Sequence, residues 1–238
     1  MSAHRRIALL DEIRGFCILC MVFYHAFYLF GTFSGSDVCL RLFHIFEPVQ
    51  ILFASVFICI SGICTNFSHN VLRRGLYLCG IAGVISVVSI LLLPKLGFDT
   101  FQDKFGILHF LGVSMVLTAL LKKPMSRIEP KTGILICIGL FAVTFLLTEK
   151  ITVRPAWLFP LGFRSADFYS ADYFPLLPNI FTFWIGTCIG QHWQSDPPAE
   201  WVWRVHVRFY SFVGRYTLWI YLLHIPVLLI IIKIMERI

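Results

Sequence analysis

Charged side chains are scarce in this sequence. Asp, Glu, Lys and Arg make up 14% of its 238 residues, whereas 58% are hydrophobic. A soluble domain carries about a quarter charged residues, so this shortage excludes an ordinary water-soluble globule. Alternation is also lacking. The apolar residues run continuously instead of every second position, which excludes barrel strands and leaves helices as the spanning element, because lipid offers no partner for an unpaired backbone group. There is no internal repeat, no low-complexity tract, and no small-residue cleavage site after the first apolar run, so that run is expected to stay in the protein. No basic arm interleaved with aromatics suits nucleic-acid bases, so no nucleic-acid partner is expected, and the net charge of +7 is read as basic loops at a membrane face. A GxSxG nucleophile elbow is missing. Cys17 and Cys20 form a CxxC with no second pair to complete a zinc site, and are read as small apolar side chains in packed helices.

The apolar runs that remain are long. A bilayer core takes about 20 residues of helix, and the pattern predicts about seven spans, near 7–31, 41–66, 74–93, 105–121, 132–148, 174–191 and 211–233. Pro94, Pro124, Pro130 and the Pro197–Pro198 pair fall between them, as helix breakers should. The expected fold is therefore all-α: a polytopic membrane bundle forming one domain over residues 1–238. The short basic connections at 72–74 and 122–131, together with Arg5 and Arg6, place the N-terminus in the cytoplasm. On that orientation the long connection 149–173, aromatic and broken by Pro155 and Pro160, lies outside the cytoplasm, and its length marks it as functional.

Ionisable residues within spans are costly and each needs a reason. An inner group comprises Asp11, Arg14, Arg73, Arg74 and Arg215. Asp11 and Arg14 stand three apart and can pair on one helix face. The arginines read either as an ion pair plus membrane anchors, or as a pocket for a phosphate-bearing ligand, which the guanidinium fork suits. An outer group comprises His25, His44, Glu47, His109 and Asp172, with His224 deeper. His25 follows Arg14 by eleven residues, about 16 Å along a helix and nearly in phase with it. One face thus carries a cation near one end and an imidazole towards the other. His25 reads as a buried structural histidine or as a catalytic base or acid. His44 and Glu47 read as polar contacts at the outer edge, because no second ligand pair accompanies them to make a metal site. His109 is flanked by Gly106 and Gly112, which permit close helix approach. His4, His69, His192 and His206 lie near loops and are expected in solvent.

At these residues the sequence resembles a known family. "RIALLDEIRGFCILCMVFYHAFY" is similar to the opening helix of the heparan-alpha-glucosaminide N-acetyltransferase-like membrane acyltransferases, and "LRRGLYLCGIAGVIS", "FGILHFLGVSM", "FYSADYFPLLPNIFTFWIG" and "GRYTLWIYLLHIPVLL" resemble later blocks of its short bacterial members. The Arg14-to-His25 spacing also resembles the motif of the related inner-membrane acyltransferase family three. The resemblance implies an integral protein of a bacterial cytoplasmic membrane that moves an acyl group, acetyl above all, from cytosolic acyl-CoA to a hydroxyl or amine of an extracytoplasmic glycan. It implies acyl-CoA as co-substrate and no metal. His25 would act in transfer, with Asp11, Arg14 and His109 in the catalytic set and His44 as the rival to His25. Arg14, Arg73 and Arg74 would hold the CoA phosphates. His44, Glu47, Asp167, Asp172 and His224 would serve the acceptor. Membrane lipid is an expected partner; larger members have about ten or eleven spans, so a chain of about seven is either a minimal domain or one that completes its site by forming a homo-oligomer. A proton-coupled transporter and a non-catalytic membrane subunit are the alternatives.

Overall fold

The computed structural model describes residues 7–98, 101–151 and 156–235. His4, Arg5, Arg6 and Pro155 lie outside the described residues. Among the described residues nine α-helices follow in order: α1 (Ala8–Phe33), α2 (Asp37–Thr65), α3 (Val71–Leu91), α4 (Ile107–Leu120), α5 (Lys122–Met125), α6 (Pro130–Lys150), α7 (Leu176–Ser195), α8 (Arg208–Arg215) and α9 (Thr217–Met235). Among the described residues the extended pairing is one isolated parallel bridge between Phe105 and Tyr173.

Among the described residues five helices, α1, α2, α3, α6 and α9, are long and apolar enough to cross a membrane. The 26 residues of α1 reach about 39 Å, beyond a ~30 Å hydrocarbon core. The span expected at 105–121 is shorter than predicted: α4 has 14 residues, about 21 Å. At 174–191 a helix forms as expected, but Leu177 takes extended backbone (φ −95°, ψ 135°) and kinks it near its start, Asn179, Thr182, Thr187, Gln191 and His192 dilute the rest, and α7 is not among the five. The span expected at 211–233 is broken. Tyr216 closes α8, the Thr217 hydroxyl donates to the Gly214 carbonyl at 2.6 Å, and α9 starts afresh.

The chain divides into two compact units, Met1–Ile60 with Pro198–Ile238, and Ser61–Pro197. In the first unit, α1 packs on α8 and α9. The α1–α8 contact is backbone to backbone: a Cβ on Gly15 would collide with the Tyr210 carbonyl, and one on Gly214 with the Asp11 carbonyl. Only glycine admits that approach. Phe16 and Tyr210 meet edge-on beside it, centroids 5.7 Å apart.

In the second unit, α3 packs on α4 and α6 on α7. Small residues again carry the contacts. A Cβ at Gly112 would lie 2.6 Å from Cys79 Sγ, and one at Gly133 would lie 2.8 Å from Cys188 Sγ. The approach expected at Gly112 is therefore present, with a cysteine as the small residue opposite. All eight cysteines are free thiols. Phe110 and Phe183, both fully buried, meet edge-on at 6.4 Å. Between α3 and α4 the chain turns through residues 101–106 and pairs with 170–174 of the long connection, by Ala171 N–H to Gln102 O at 2.8 Å and Phe174 N–H to Phe105 O at 3.0 Å.

Candidate active site

In the first unit, α1 and α9 bring His25 and His224 together. His25 Nδ1 lies 2.9 Å from His224 Nε2, and His224 Nδ1 lies 2.6 Å from the Tyr221 carbonyl oxygen. A carbonyl can only accept, so His224 carries its proton on Nδ1. Neutral His224 then has a lone pair on Nε2 and accepts from His25 Nδ1–H. The chain of constraints ends at His25 Nε2, which is left as the basic nitrogen. A backbone carbonyl thus sets the tautomer of one imidazole, and that imidazole sets the other. Both side chains are buried, 5% and 7% exposed. The rings are near parallel, 22° apart with centroids at 5.1 Å. Each histidine is a candidate in the sequence; their pairing, across 199 positions, is not visible there.

Asp11 and Arg14 pair as their spacing predicts, Arg14 Nη2 reaching Asp11 Oδ1 at 2.5 Å and also the Gly214 carbonyl at 3.2 Å. Arg14 is thus held by α8 as well as by its own helix. Glu12, which sequence reasoning leaves without a role, is buried and accepts the His206 N–H at 2.6 Å, with His206 Nδ1 3.8 Å from its other oxygen. The segment entering α8 is therefore tied to the start of α1 through the His206 backbone, while the His206 side chain is exposed, as expected of a loop histidine. His44 and Glu47 lie 3.7 Å apart and are mostly exposed, at 69% and 57% of their side chains. The Tyr24 ring rests against Phe43 at 4.9 Å.

The second unit holds a separate polar cluster where α4 begins. Asp103 and Asp172 converge over Gly106: a Cβ there would lie 2.6 Å from Asp172 Oδ2 and 2.8 Å from both Asp103 oxygens. Ile107 N–H donates to Asp172 Oδ2 at 3.2 Å, so the first turn of α4 faces the pair. From α3, Ser89 takes the Asp103 N–H at 3.0 Å and Ser86 donates to the Asp103 carbonyl at 2.7 Å. Since the one hydroxyl hydrogen of Ser86 goes to that carbonyl, the 3.2 Å contact to His109 Nε2 is an N–H of His109 donating to Ser86 Oγ. His109 Nδ1 is then an acceptor, and it is buried without a hydrogen-bond partner among the described residues. Phe105 stacks on His109 at 5.4 Å. His109 and Asp172 are sequence candidates; Asp103, Ser86 and Ser89 are not, because nothing local marks a loop aspartate as buried. Asp167 is exposed. Arg73 and Arg74 are exposed at the start of α3, where Asn70 caps the Arg73 N–H at 2.9 Å and Arg74 reaches Ser68 Oγ at 3.1 Å. Among the described residues no group of three or more His, Cys, Asp or Glu could hold a metal ion.

The crowding over Gly106 has a titration consequence. Burial, then the neighbouring Asp172 charge, push the Asp103 carboxyl from 3.8 up to about 8, against the Gly106 N–H, which favours the ionised form. A carboxyl raised on folding contributes stability that is present at low pH and lost as pH climbs towards the folded value. Thermal stability of the wild type is therefore expected to fall between pH 5 and pH 8, and Asp103→Asn, a neutral isostere at every pH, to flatten that slope and exceed the wild type at pH 8. Melting curves across this range decide it; parallel pH profiles for the two proteins would remove the argument for a neutral Asp103.

The sequence model of the family described as "Heparan-alpha-glucosaminide N-acetyltransferase, catalytic" matches residues 6–226. The chain belongs to this family. His25, His224, His109 and the Asp103–Asp172 pair all lie within the matched residues. No curated protein and no solved structure matches the chain. A heparan-alpha-glucosaminide N-acetyltransferase catalytic domain, with five helices fit to cross a membrane, is an integral membrane acetyltransferase by family.

Proposed function

We propose that residues 1–238 act as one transmembrane acyltransferase domain, N-terminus cytoplasmic, in a bacterial cytoplasmic membrane. It transfers an acetyl or other acyl group from cytosolic acyl-CoA to a hydroxyl or amine of an extracytoplasmic glycan. The observation that carries this reading is the fixed proton order from the Tyr221 carbonyl through His224 to His25. It leaves one nitrogen basic in a buried setting, which is what general-base catalysis asks of a histidine. His25 Nε2 takes the proton of the acceptor as its oxygen or nitrogen attacks the thioester carbonyl carbon. The tetrahedral intermediate expels the CoA thiolate as the carbon–sulfur bond breaks, and the imidazolium returns its proton to that sulfur. His224 accepts a charge-assisted hydrogen bond from the imidazolium and stabilises it. It is a positioning residue.

Arg14 in the first unit, and Arg73 and Arg74 in the second, are each assigned to donor phosphate. His109 and Asp172, joined by Asp103, are assigned to acceptor hydroxyls in the second unit, where the buried His109 Nδ1 offers an acceptor to a substrate O–H. The exposed His44, Glu47 and Asp167 are assigned to outer contacts with the glycan. The rival reading, proton-coupled transport, draws on the same pair of clusters, since buried carboxyls and imidazoles also relay protons. Acetyl-CoA separates the two. Purified protein in detergent is expected to be thermally stabilised by CoA and to release CoA thiol from acetyl-CoA when an amino-sugar acceptor is supplied. A protein that CoA neither stabilises nor reacts with is a transporter or a structural subunit.

A further inference from the structure

The eight residues of α8, Arg208–Arg215, and the turn that follows present two chemistries around one exposed arc. At about 100° per residue, Arg215, Arg208, Phe212, Tyr216 and Phe209 follow one another within about 120°. All five are exposed. The opposite side carries Ser211, Val213 and Gly214, all buried. The arc therefore grades from two guanidiniums to three aromatic rings, while the small residues face the protein. Val205 and Trp201, exposed in the preceding segment, extend the apolar part of this face, whereas Arg204 there is paired with Glu200 at 3.4 Å.

The depth of α8 follows from its contacts. It meets α1 at Asp11, Gly15 and Phe16, in the first turns of that helix, and it leads directly into the start of α9. Both α1 and α9 are membrane-crossing candidates, so α8 sits at the end of two spans, at the boundary between headgroups and acyl chains. A short helix at that depth with aromatic rings on one edge of its free face and arginines on the other is built to lie in the interface. The rings enter the acyl boundary and the arginines meet phosphate.

We propose that α8 is an anionic-phospholipid binding surface, with Arg208 and Arg215 pairing lipid phosphate while Phe209, Phe212 and Tyr216 anchor in the acyl boundary. Charge decides the occupant: no carboxylate lies in the exposed arc, and each interfacial arginine gains roughly 1 kcal/mol from an anionic surface, which two arginines convert to roughly thirtyfold in apparent affinity. This surface stands apart from the acyl-transfer reading and does not need it.

The test uses the full chain in nanodiscs of phosphatidylcholine titrated with phosphatidylglycerol, read by thermal shift and by the lipid retained in native mass spectrometry. Wild type is expected to retain phosphatidylglycerol over phosphatidylcholine and to melt higher as its fraction rises, with the gain shrinking in high salt. Arg208→Gln/Arg215→Gln is expected to melt like wild type in pure phosphatidylcholine and to need roughly ten- to thirtyfold more phosphatidylglycerol. Should that variant fail to fold, Phe209→Leu/Phe212→Leu keeps the charges and is expected to keep the lipid preference while weakening retention. Equal shifts with both lipids, or an undiminished phosphatidylglycerol shift in the arginine variant, overturns the proposal. So does an equal, arginine-dependent shift with inorganic phosphate or CoA, which would make the face a soluble-anion site. A wild type that prefers phosphatidylglycerol yet transfers no acetyl counts against the acyltransferase reading and not against this one.

Discussion

Replacing His25 with alanine is expected to cut acyl transfer by about 10²–10⁴-fold, the usual worth of a positioned general base, with CoA stabilisation retained. The expectation rests on the tautomer argument. The Tyr221 carbonyl fixes His224, His224 fixes His25, and Nε2 of His25 is the nitrogen left to take a proton. The two histidines should therefore fail differently. Without His25 the base itself is lost, and turnover drops across the whole pH range. His224→Gln still offers a side-chain acceptor to His25 Nδ1 but carries no imidazole, so it should slow turnover less and move the pH–rate profile without abolishing it. Rate constants for both variants over a pH series make the comparison. If His25→Ala transfers acetyl at the wild-type rate, the catalytic assignment fails, and the His25–His224 contact is a structural hydrogen bond inside a helix bundle.

What the sequence makes legible here is local. Apolar run length locates the five helices that are long and apolar enough to cross a membrane, though it predicts about seven, because continuous hydrophobicity over some twenty residues has few other uses. The Asp11–Arg14 pair is readable for the same reason, since three positions on a helix bring side chains together whatever the rest of the fold does. The site is a different matter. His25 and His224 are each conspicuous as histidines within apolar runs, but no periodicity links positions so far apart. Asp103 is less visible still: it sits in a polar stretch where an aspartate is unremarkable, and only the pairing of 101–106 with 170–174 shows that it is buried against Asp172. Glu12 looks like a solvated companion of Asp11 until the His206 backbone is seen bonded to it. The break at Tyr216 is masked because the residues on both sides are as apolar as a single span would need.

Gly214→Ala is expected to be the most damaging single substitution to folding. Its added methyl would collide with the Asp11 carbonyl, a backbone atom within α1 that has no rotamer to change. Overpacking of a tight contact costs about 1–3 kcal/mol and at times more, and a backbone obstacle places this site at the upper end. Stability of only about 5–15 kcal/mol is typical of a whole protein, so folded yield and melting temperature should both fall sharply. Gly80→Ala supplies the comparison, because that glycine is also helical but a Cβ there meets nothing within 4 Å. There alanine should stabilise slightly, by about 0.5–1 kcal/mol, through helix propensity alone. The contrast separates close approach from the ordinary cost of a glycine change. The damage should also be chemical. To admit the methyl, α8 must move off α1, and the Gly214 carbonyl that holds Arg14 at 3.2 Å moves with it. Any folded Gly214→Ala protein should therefore bind CoA more weakly if Arg14 receives donor phosphate, while the His25–His224 pair, held by α1 and α9, keeps its proton order. A melting temperature equal to wild type would show that α8 does not rest on the backbone of α1.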